Sequence, residues 1–585
     1  MVNNRLNKLR EAMSQHDIDV YYFNTSDYHM SEYVADFFKT IAYFSGFTGS
    51  LATLLVDQEN AYIFVDGRYH IQADEQCGKY GIKVMKLGMK DVPEPLEFIK
   101  DNYADKTIGF DGRRTSVQFG KQLLKNKINI KSIDIYSDVI EDRTPLSNNQ
   151  IYELETRYAG LSRKTKIEII NHSLKNTCHI INNLESIAYL LNLRSDDVEH
   201  TPVFMSYLVI LDKQLYLFVD SSRLSKQTLN SLYEDGIIIR SYGSYYEFLD
   251  LIKSKKITFD ETKVNYETYL RINKNNNRIL NKRSIVEDMK AVKCEAEQNN
   301  ARQAHIYDGV AVVRFLKWLD SIDKKTISEY DAARKIDEFR LQYKAFDTSF
   351  NSIVAYNENA AIMHYFAQED NCKKLDNKGL LLFDTGGQYL EGTTDITRTI
   401  ALGPVDDQIK KWFTLVLKSM FNLSELVFLK GMSGNQIDVV ARKDLWKEYV
   451  DYRCGTGHGV GHILSVHEGP PNIRYGKTAA GTETAPFKEG MICSDEPGVY
   501  FENEFGIRCE NMILCKKVSE NEYGEFLGFE TLTLVPFDLK LIDKKYLDEK
   551  TIEVLNGYHQ RVYETLLPYL NYEEGEYLRK ITKAI

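Results

Sequence analysis

Two carboxylates, Asp384 and Asp395, stand eleven residues apart in the C-terminal half of the chain. Asp384 follows the apolar run 380–383, which predicts a buried strand, and the alternation over residues 394–400 predicts a second one. If the chain reverses near Tyr389, the two aspartates lie opposite each other on one face, with Cβ atoms about 5 Å apart. Carboxylates this close either share a proton or hold cations. Two surface aspartates that flank a hairpin are the alternative.

A glycine-rich run supplies the next candidate group. The sequence Gly-Thr-Gly-His-Gly-Val-Gly-His begins at Gly455 and places His458 among glycines, which allow a close approach of the backbone. His467 follows nine residues later in Val-His-Glu-Gly-Pro. Either histidine alone is more typical of a structural role, and only the groups that accompany them favour a role in chemistry.

Two further motifs add carboxylates. Glu496 precedes a Pro-Gly turn, and the run Gly-Ile-Arg-Cys-Glu-Asn places Arg508 and Glu510 on one face of a predicted strand. Four carboxylates and one imidazole suit Mn²⁺, with Co²⁺ or Zn²⁺ as alternatives. Such a set can neutralise two divalent ions about 3.5–4 Å apart, which would activate a water molecule and stabilise an oxyanion. The candidate ligands are Asp384, Asp395, His458, Glu496 and Glu510.

The elements that precede these motifs are of mixed α/β character. The first segment runs to about residue 143, with a helix over 3–15 and strands over 51–56 and 61–65. Arg68 follows the second strand in an Asp-Gly-Arg turn. A local ion pair and a reach towards the site of another domain are both open readings of this arginine.

The second segment repeats the order of elements seen in the first. It begins after a charged, proline-marked break near residue 143, and its pattern predicts a helix over 174–191 and strands over 207–211 and 214–219. A basic, Asn-rich run from Lys274 to Arg283 is predicted to be a linker. The two segments are therefore interpreted as copies of one α/β unit.

From Glu287 the pattern changes to long helices separated by apolar strands and glycine-rich turns. Helices are predicted over 295–319, 407–428 and 434–449. Because 585 residues are too many for one hydrophobic core, several domains are expected. The predicted boundaries are 1–143, 144–286 and 287–585.

Composition excludes several classes of function. The net charge of −10 argues against non-specific binding of nucleic acid. The sequence contains no run of 18 apolar residues, so no membrane span is predicted. The N-terminal residues lack the apolar core of a signal peptide. The eight cysteines are scattered without a Cys-x-x-Cys pair, which predicts reduced thiols and a cytoplasmic location.

The motifs together resemble a known family. The patterns D-x10-D, G-T-G-H-G-V-G, V-H-E-G-P, D-E-P-G and G-I-R-x-E-N occur in the order found in the pita-bread metallopeptidases. The chain resembles most closely their three-domain form, Xaa-Pro aminopeptidase (aminopeptidase P). The resemblance covers essentially the whole chain. It implies an α/β fold class: two related N-terminal α/β domains, which are creatinase-like, followed by a C-terminal pita-bread catalytic domain.

The resemblance also assigns a role to each candidate ligand. By it, Asp384 binds one metal ion, Asp395 and Glu510 bridge both ions, and His458 and Glu496 bind the second ion. The ions would hold a bridging hydroxide that attacks the scissile carbonyl, and Glu496 would carry the proton from water to the proline nitrogen.

Four more residues receive roles from the resemblance. His364, twenty residues before Asp384, resembles the histidine on the substrate side, and His467 resembles its partner on the substrate carbonyl. Arg508 resembles the arginine that orients groups beside the metals. Arg68 resembles an arginine of the first domain that reaches the far end of the substrate. The substrate can be bound in the same subunit or in a neighbouring one.

The expected activity is hydrolysis of the first peptide bond of Xaa-Pro-Yaa peptides, by a homodimer. Prolidase, which cleaves Xaa-Pro dipeptides, is the nearest alternative, and the two N-terminal α/β segments favour the longer aminopeptidase. Creatinase-like enzymes share the fold without the metal ligands. An inactive module that binds peptides or histones should have lost ligands, whereas this sequence keeps all five.

One position departs from the family pattern. Cys454 stands four residues before His458, where many relatives carry a histidine, and a thiol cannot supply the same charged hydrogen bond. We therefore expect no catalytic role for Cys454. His462 is expected to be structural, and residues 475–486 are predicted to form a loop near the mouth of the site.

Overall fold

The computed structural model describes residues 2–174, 177–476 and 484–585. The chain divides into two compact units, Met1–Glu287 and Asp288–Ile585. Of the loop predicted over 475–486, residues 477–483 lie outside the described residues.

The N-terminal unit begins with a six-stranded mixed sheet in the order β4-β3-β2-β1-β5-β6. The pairs β1–β2 and β2–β3 are antiparallel, whereas β3–β4, β1–β5 and β5–β6 are parallel. The two strands predicted here are confirmed. The strands are β1 (Val20–Asn24), β2 (Thr53–Asp57), β3 (Ala61–Val65), β4 (Lys83–Lys86), β5 (Thr107–Phe110) and β6 (Asn129–Ser132).

A second six-stranded sheet in this unit has the order β12-β11-β10-β8-β13-β14. Along this order the pairs are parallel, antiparallel, antiparallel, parallel and parallel, which is the same succession as in the first sheet. The two halves of the unit therefore have one topology, as the repeated order of elements predicted. The strands, with the short pair β7–β9, are β7 (Tyr152–Glu153), β8 (Cys178–Ile181), β9 (Leu193–Arg194), β10 (Tyr207–Leu211), β11 (Gln214–Phe218), β12 (Ile237–Arg240), β13 (Lys256–Phe259) and β14 (Arg278–Asn281).

Helices flank both sheets, and two predictions in this region are wrong. The helix predicted over 174–191 contains strand β8, because a short apolar run can belong to either element and its periodicity does not decide between them. The predicted linker contains β14, in which Ile279 and Leu280 pair with β13. The helices are α1 (Val2–Gln15), α2 (Thr40–Ser45), α3 (His70–Cys77), α4 (Pro95–Tyr103), α5 (Val117–Lys125), α6 (Thr156–Ala159), α7 (Arg163–Ser173), α8 (Leu184–Leu191), α9 (Lys226–Glu234), α10 (Tyr245–Asp250), α11 (Tyr266–Asn273) and α12 (Ile285–Ala291).

The C-terminal unit contains long helices around small antiparallel sheets. The three helices predicted there are confirmed, although two of them end three or four residues earlier than expected. Their apolar faces contribute the buried residues Val310, Phe413 and Leu445 to one core. The helices are α13 (Glu295–Ser321), α14 (Glu329–Leu341), α15 (Asp407–Ser424), α16 (Gly434–Trp446), α17 (Glu549–Leu566) and α18 (Tyr572–Ile581).

The sheets of the C-terminal unit have the orders β16-β17-β20, β15-β18-β19 and β21-β28-β27-β24, with the pairs β22–β23 and β25–β26. All of these pairings are antiparallel. The strands are β15 (Asp347–Thr348), β16 (Ile353–Tyr356), β17 (Leu380–Thr385), β18 (Gly387–Tyr389), β19 (Gly392–Thr393), β20 (Ile396–Ala401), β21 (Phe428–Leu429), β22 (Gly457–His458), β23 (Asn472–Ile473), β24 (Ile492–Asp495), β25 (Gly498–Phe501), β26 (Phe505–Arg508), β27 (Asn511–Asn521) and β28 (Gly524–Thr531).

Among the helices of the described residues, none combines the length with the apolar character that crossing a membrane requires.

Candidate metal centre

The two aspartates of the β17–β20 hairpin share a face, in a register that differs from the predicted one. Asp384 pairs with Thr397, because the chain turns one residue later than expected, after Tyr389 pairs with Gly392. Asp395 therefore stands diagonally across from Asp384 and not directly opposite it. Diagonal neighbours in an antiparallel pair remain within reach of each other's side chains.

Three of the candidate ligands meet in one cluster. Ligand atoms of Asp395, His458 and Glu510 all lie within 4.8 Å of one another. Asp395 and Glu510 are buried, with 5% and 1% of their surface exposed. Three chain segments far apart in sequence thus bring two carboxylates and an imidazole to a single point.

The glycines beside His458 are required by close backbone contacts. A Cβ atom on Gly457 would stand 2.0 Å from the carbonyl oxygen of Ser494, and one on Gly459 would stand 2.1 Å from that of Glu468. Nδ1 of His458 lies 3.0 Å from the carbonyl oxygen of Gly459. Because that oxygen only accepts, Nδ1 carries a proton, and Nε2 is the ring nitrogen that faces the carboxylates of the cluster.

Nε2 of His458 faces two carboxylates of the candidate set. It lies 3.5 Å from Oδ2 of Asp395 and 3.5 Å from Oε1 of Glu496. Glu496 follows β24 directly and accepts a hydrogen bond of 3.1 Å from the Ser494 hydroxyl. Ser494 also accepts the backbone N–H of His458, so one hydroxyl aligns both residues.

Arg508 connects the fifth candidate, Asp384, to the rest of the cluster. Its Nη2 donates to Oδ2 of Asp384 at 2.5 Å, and its Nε donates to the Thr397 hydroxyl at 3.0 Å. The same hydroxyl donates to Oε2 of Glu510 at 2.7 Å. Although β26 ends at Arg508, both Arg508 and Glu510 therefore face Thr397, as the same-face prediction required.

Burial and mutual repulsion disfavour negative charge in the cluster. Burial, with a further contribution from Asp384 and Glu496, raises the pKa of Asp395 to about 6 despite the hydrogen bond from His458. Burial and the charges of Asp395 and Glu496 raise the pKa of Glu510 well above its usual value. Burial lowers the pKa of His458, but the hydrogen bond to Asp395 and the charge of Glu496 outweigh it and raise that pKa to about 9.

The cluster fits divalent cations. Oδ1 of Asp384 and Oδ1 of Asp395 are buried and have no hydrogen-bond donor among the described residues. A buried carboxylate oxygen without a donor is costly unless a cation satisfies it. Oxygen-rich donors with one imidazole match the preferences of Mn²⁺, Co²⁺ and Zn²⁺.

The remaining sequence-predicted residues are placed as follows. His467 is half-buried beside His458, with ring centroids 4.3 Å apart and planes at 86°. His364 is half-buried on the segment that follows β16. Arg68, in the N-terminal unit, forms an ion pair of 2.7 Å with Asp66 in its own turn, which is the local reading of this arginine.

Sequence reasoning missed the charged residues that support the cluster. Glu468 is buried beside two lysines, with Oε1 3.0 Å from Nζ of Lys293 and Oε2 3.2 Å from Nζ of Lys290. Arg442 of α16 is fully buried and donates to Asp438 at 2.6 Å. Only one local signal existed, the glutamate that follows His467 in the V-H-E-G-P motif.

Cys454 is held by its backbone. Its carbonyl oxygen accepts from Nη2 of Arg442 at 2.7 Å, and the carbonyl of Tyr452 accepts from Nη1 at 2.8 Å. The segment leading to His458 is thus fixed by backbone carbonyls, which any residue at position 454 would supply.

Comparison with protein families agrees with this architecture. The model of metallopeptidase family M24 matches residues 299–517, and that of the C-terminal region of this peptidase family matches residues 525–585. Two separate matches to the creatinase/prolidase N-terminal domain cover residues 5–143 and 142–297. The fold is therefore that of an M24 metallopeptidase: two creatinase-like α/β domains precede a pita-bread domain.

Comparison with individual relatives shows which subgroup of these metallopeptidases the chain resembles. The chain is 36% identical to a probable Xaa-Pro aminopeptidase P of Laccaria bicolor, over 97% of this chain and 90% of that one. It is 33% identical to aminopeptidase P2 of Arabidopsis thaliana, over 97% and 86%. The crystal structure of X-prolyl aminopeptidase from Caenorhabditis elegans, described as a cytosolic enzyme with a di-nuclear active site, matches with a TM-score of 0.94 at 29% identity over 100% of both chains. The chain belongs to the Xaa-Pro aminopeptidase P family.

Proposed function

We propose that this protein is a metal-dependent aminopeptidase that hydrolyses the bond between an N-terminal residue and a following proline. The observation that carries the proposal is the buried cluster in which ligand atoms of Asp395, His458 and Glu510 lie within 4.8 Å of one another. Full-length relatives named Xaa-Pro aminopeptidase P support the choice of substrate.

The residues that would hold two divalent cations are those of the cluster and its neighbours. Asp384 would bind one ion, and His458 and Glu496 would bind the other. Asp395 and Glu510 would bind both ions. We propose Mn²⁺ as the native ion because four of the five ligands are carboxylates. Bound there, the two cations would lower the pKa of a water molecule and stabilise negative charge on the scissile carbonyl oxygen.

The protein's own proton transfer is assigned to Glu496. Its carboxylate is only partly buried, with 22% of the side chain exposed, and Ser494 holds one of its oxygens. It would take a proton from the attacking water and deliver it to the proline nitrogen. The leaving proline is a secondary amine, so its nitrogen must be protonated before it can leave.

Two histidines are assigned to the substrate. His467 lies against His458 and would donate a hydrogen bond to the substrate carbonyl. His364 would approach the substrate from the other side, on the segment after β16. Arg508 would orient Asp384 through the hydrogen bond of 2.5 Å between them.

We also propose a role for Arg68 and for the assembly. Arg68 would bind the far end of the substrate, in the same or in a neighbouring subunit of a homodimer. The family resemblance supports both statements, and molecular mass in solution tests the second. A monomer at micromolar concentration would contradict the dimer.

The domain boundaries are proposed at 143/144 and 286/287. The two creatinase-like matches meet at residues 142–143, and the second compact unit begins at Asp288. A cytoplasmic location is proposed because all eight cysteines are free thiols and the nematode relative is described as cytosolic. Localisation of a tagged protein tests it.

The test of the proposed function is release of the N-terminal residue from an Xaa-Pro-Yaa tripeptide and from an Xaa-Pro dipeptide. Each assay is run after chelation and again after Mn²⁺ is restored, with the D395A and E510A variants beside the wild type. We expect metal-restored cleavage of the tripeptide and none by either variant. Preference for the dipeptide would indicate a prolidase, and turnover by the variants would contradict the dinuclear centre.

A further inference from the structure

A single buried carboxylate holds the segment that carries His364. Glu329 is the first residue of α14 and is fully buried. The segment 357–379 joins β16 to β17, and after a short 3-10 helix over 357–361 it has almost no regular structure. A residue on such a segment keeps its position only if other contacts fix the backbone around it.

Glu329 receives hydrogen bonds from the residue directly before this segment and from three residues within it. Oε1 accepts from the backbone N–H of Tyr356 at 2.6 Å, and Oε2 accepts from that of Lys373 at 2.7 Å. Nδ2 of Asn359 reaches both oxygens, at 2.9 and 3.0 Å. The hydroxyl of Tyr365 donates to Oε2 at 2.7 Å, and Tyr365 is the residue directly after His364.

We infer that Glu329 is a positioning residue for His364, acting through Tyr365 and the backbone of the segment. This inference rests on the proposed function for the role of His364. All the donors to Glu329 named above are uncharged, so the carboxylate acts as a shared acceptor and not as half of an ion pair. An ionised carboxylate offers about four acceptor sites, which matches the number of these donor groups.

The variant E329Q tests this assignment because glutamine has the same shape. Each oxygen of Glu329 accepts at least two hydrogen bonds, so in either orientation the glutamine NH₂ would face donors. We expect kcat/KM for an Xaa-Pro-Yaa peptide to fall about 10- to 100-fold. Affinity for Mn²⁺, measured by calorimetry, should stay unchanged because His364 is not among the proposed ligands.

Two variants separate positioning from general loss of structure. Y365F removes one of the five contacts, so we expect a smaller loss of about 3- to 10-fold. The control is E338Q on the same helix, where Glu338 forms an exposed ion pair with Lys335, and this variant should behave as wild type. In an H364A background, E329Q should cause no further loss, because the residue it positions is gone.

Hydrogen exchange supplies a readout that needs no activity. In E329Q, peptides covering 357–379 should exchange faster than in the wild type, while those covering β24 should not change. Unchanged exchange over 357–379, or a full further loss of activity when E329Q is added to H364A, would overturn the inference. A wild type that cleaves no Xaa-Pro peptide would refute the proposed function, whereas the exchange comparison would still decide whether Glu329 anchors the segment.

Discussion

Replacing Glu468 by glutamine should destabilise the C-terminal unit. Glu468 lies between Nζ of Lys293 at 3.0 Å and Nζ of Lys290 at 3.2 Å, and all three side chains are at most 4% exposed. Lys293 also donates to the carbonyl oxygen of Val460 at 2.6 Å. E468Q would remove the negative charge that lies beside both of these buried ammonium groups.

The expected size of the effect follows from this burial. Removing one partner of a buried ion pair costs about 3–5 kcal/mol. For a unit of the size of Asp288–Ile585, each kcal/mol lowers the unfolding temperature by about 2 °C, so we expect a decrease of about 6–10 °C. The assay is thermal unfolding followed by circular dichroism. The control is E489Q, whose partner Lys516 is 3.8 Å away at the surface, and it should lose at most about 1 kcal/mol.

Activity should fall together with stability in E468Q. The backbone N–H of Glu468 donates to the carbonyl oxygen of Gly459 at 2.7 Å, which closes the loop between His458 and His467. When the side chain loses its lysine contacts, this loop loses its anchor and the two imidazoles lose their mutual position. An unfolding temperature within 2 °C of that of E489Q would refute the reasoning, because it would show that the lysines find other compensation.

Three further predictions concern metal binding, pH and the departure from the family pattern. Adding Mn²⁺ at 100 times its dissociation constant to the metal-free wild type should raise the free energy of unfolding by about 2.7 kcal/mol, measured by thermal unfolding. The unfolding temperature of D395A should not change when Mn²⁺ is added. Burial lowers the pKa of His179 to about 4 in the folded chain, so its neutral form stabilises the fold above pH 6.5. About 3 kcal/mol is then lost as the pH falls from 6.5 to 4, and H179N should abolish this part of the pH dependence of unfolding. C454A should keep kcat/KM within about twofold of wild type in the tripeptide assay, because alanine supplies the same backbone carbonyl to Arg442; a tenfold loss would assign a role to the thiol.

The sequence predicted which strands carry the candidate ligands better than it predicted the register between those strands. Asp384 and Asp395 were expected on one face, and they share it, but directly opposite pairing was wrong by two residues because the turn falls after Tyr389. A hairpin keeps its facing residues on one side whenever the register shifts by two, since side chains alternate along a strand. The alternation of side chains therefore predicted the shared face but not which residue of β20 lies opposite Asp384.

Errors in the elements have a common physical origin. The four residues of β8 are all buried, so neither a helical stripe nor a strand alternation is visible in them. The run that contains β14 is rich in asparagine and basic residues because it forms the edge of its sheet, where polar side chains face water. In both cases pairing within the sheet, and not local propensity, decided the element.

The supporting charges were invisible in the sequence for a different reason. The candidate metal ligands lie in motifs because each requires a particular local backbone, such as the glycines that let the strand of His458 approach Ser494. Glu329 and Lys293, by contrast, contact segments that are distant in sequence. Glu329 binds Lys373, 44 residues away, and Lys293 binds Glu468, 175 residues away. A short sequence motif gives no information about contacts over such separations. The residues that hold the site together are therefore found only once the fold places them, and substitutions there should affect turnover without touching a metal ligand.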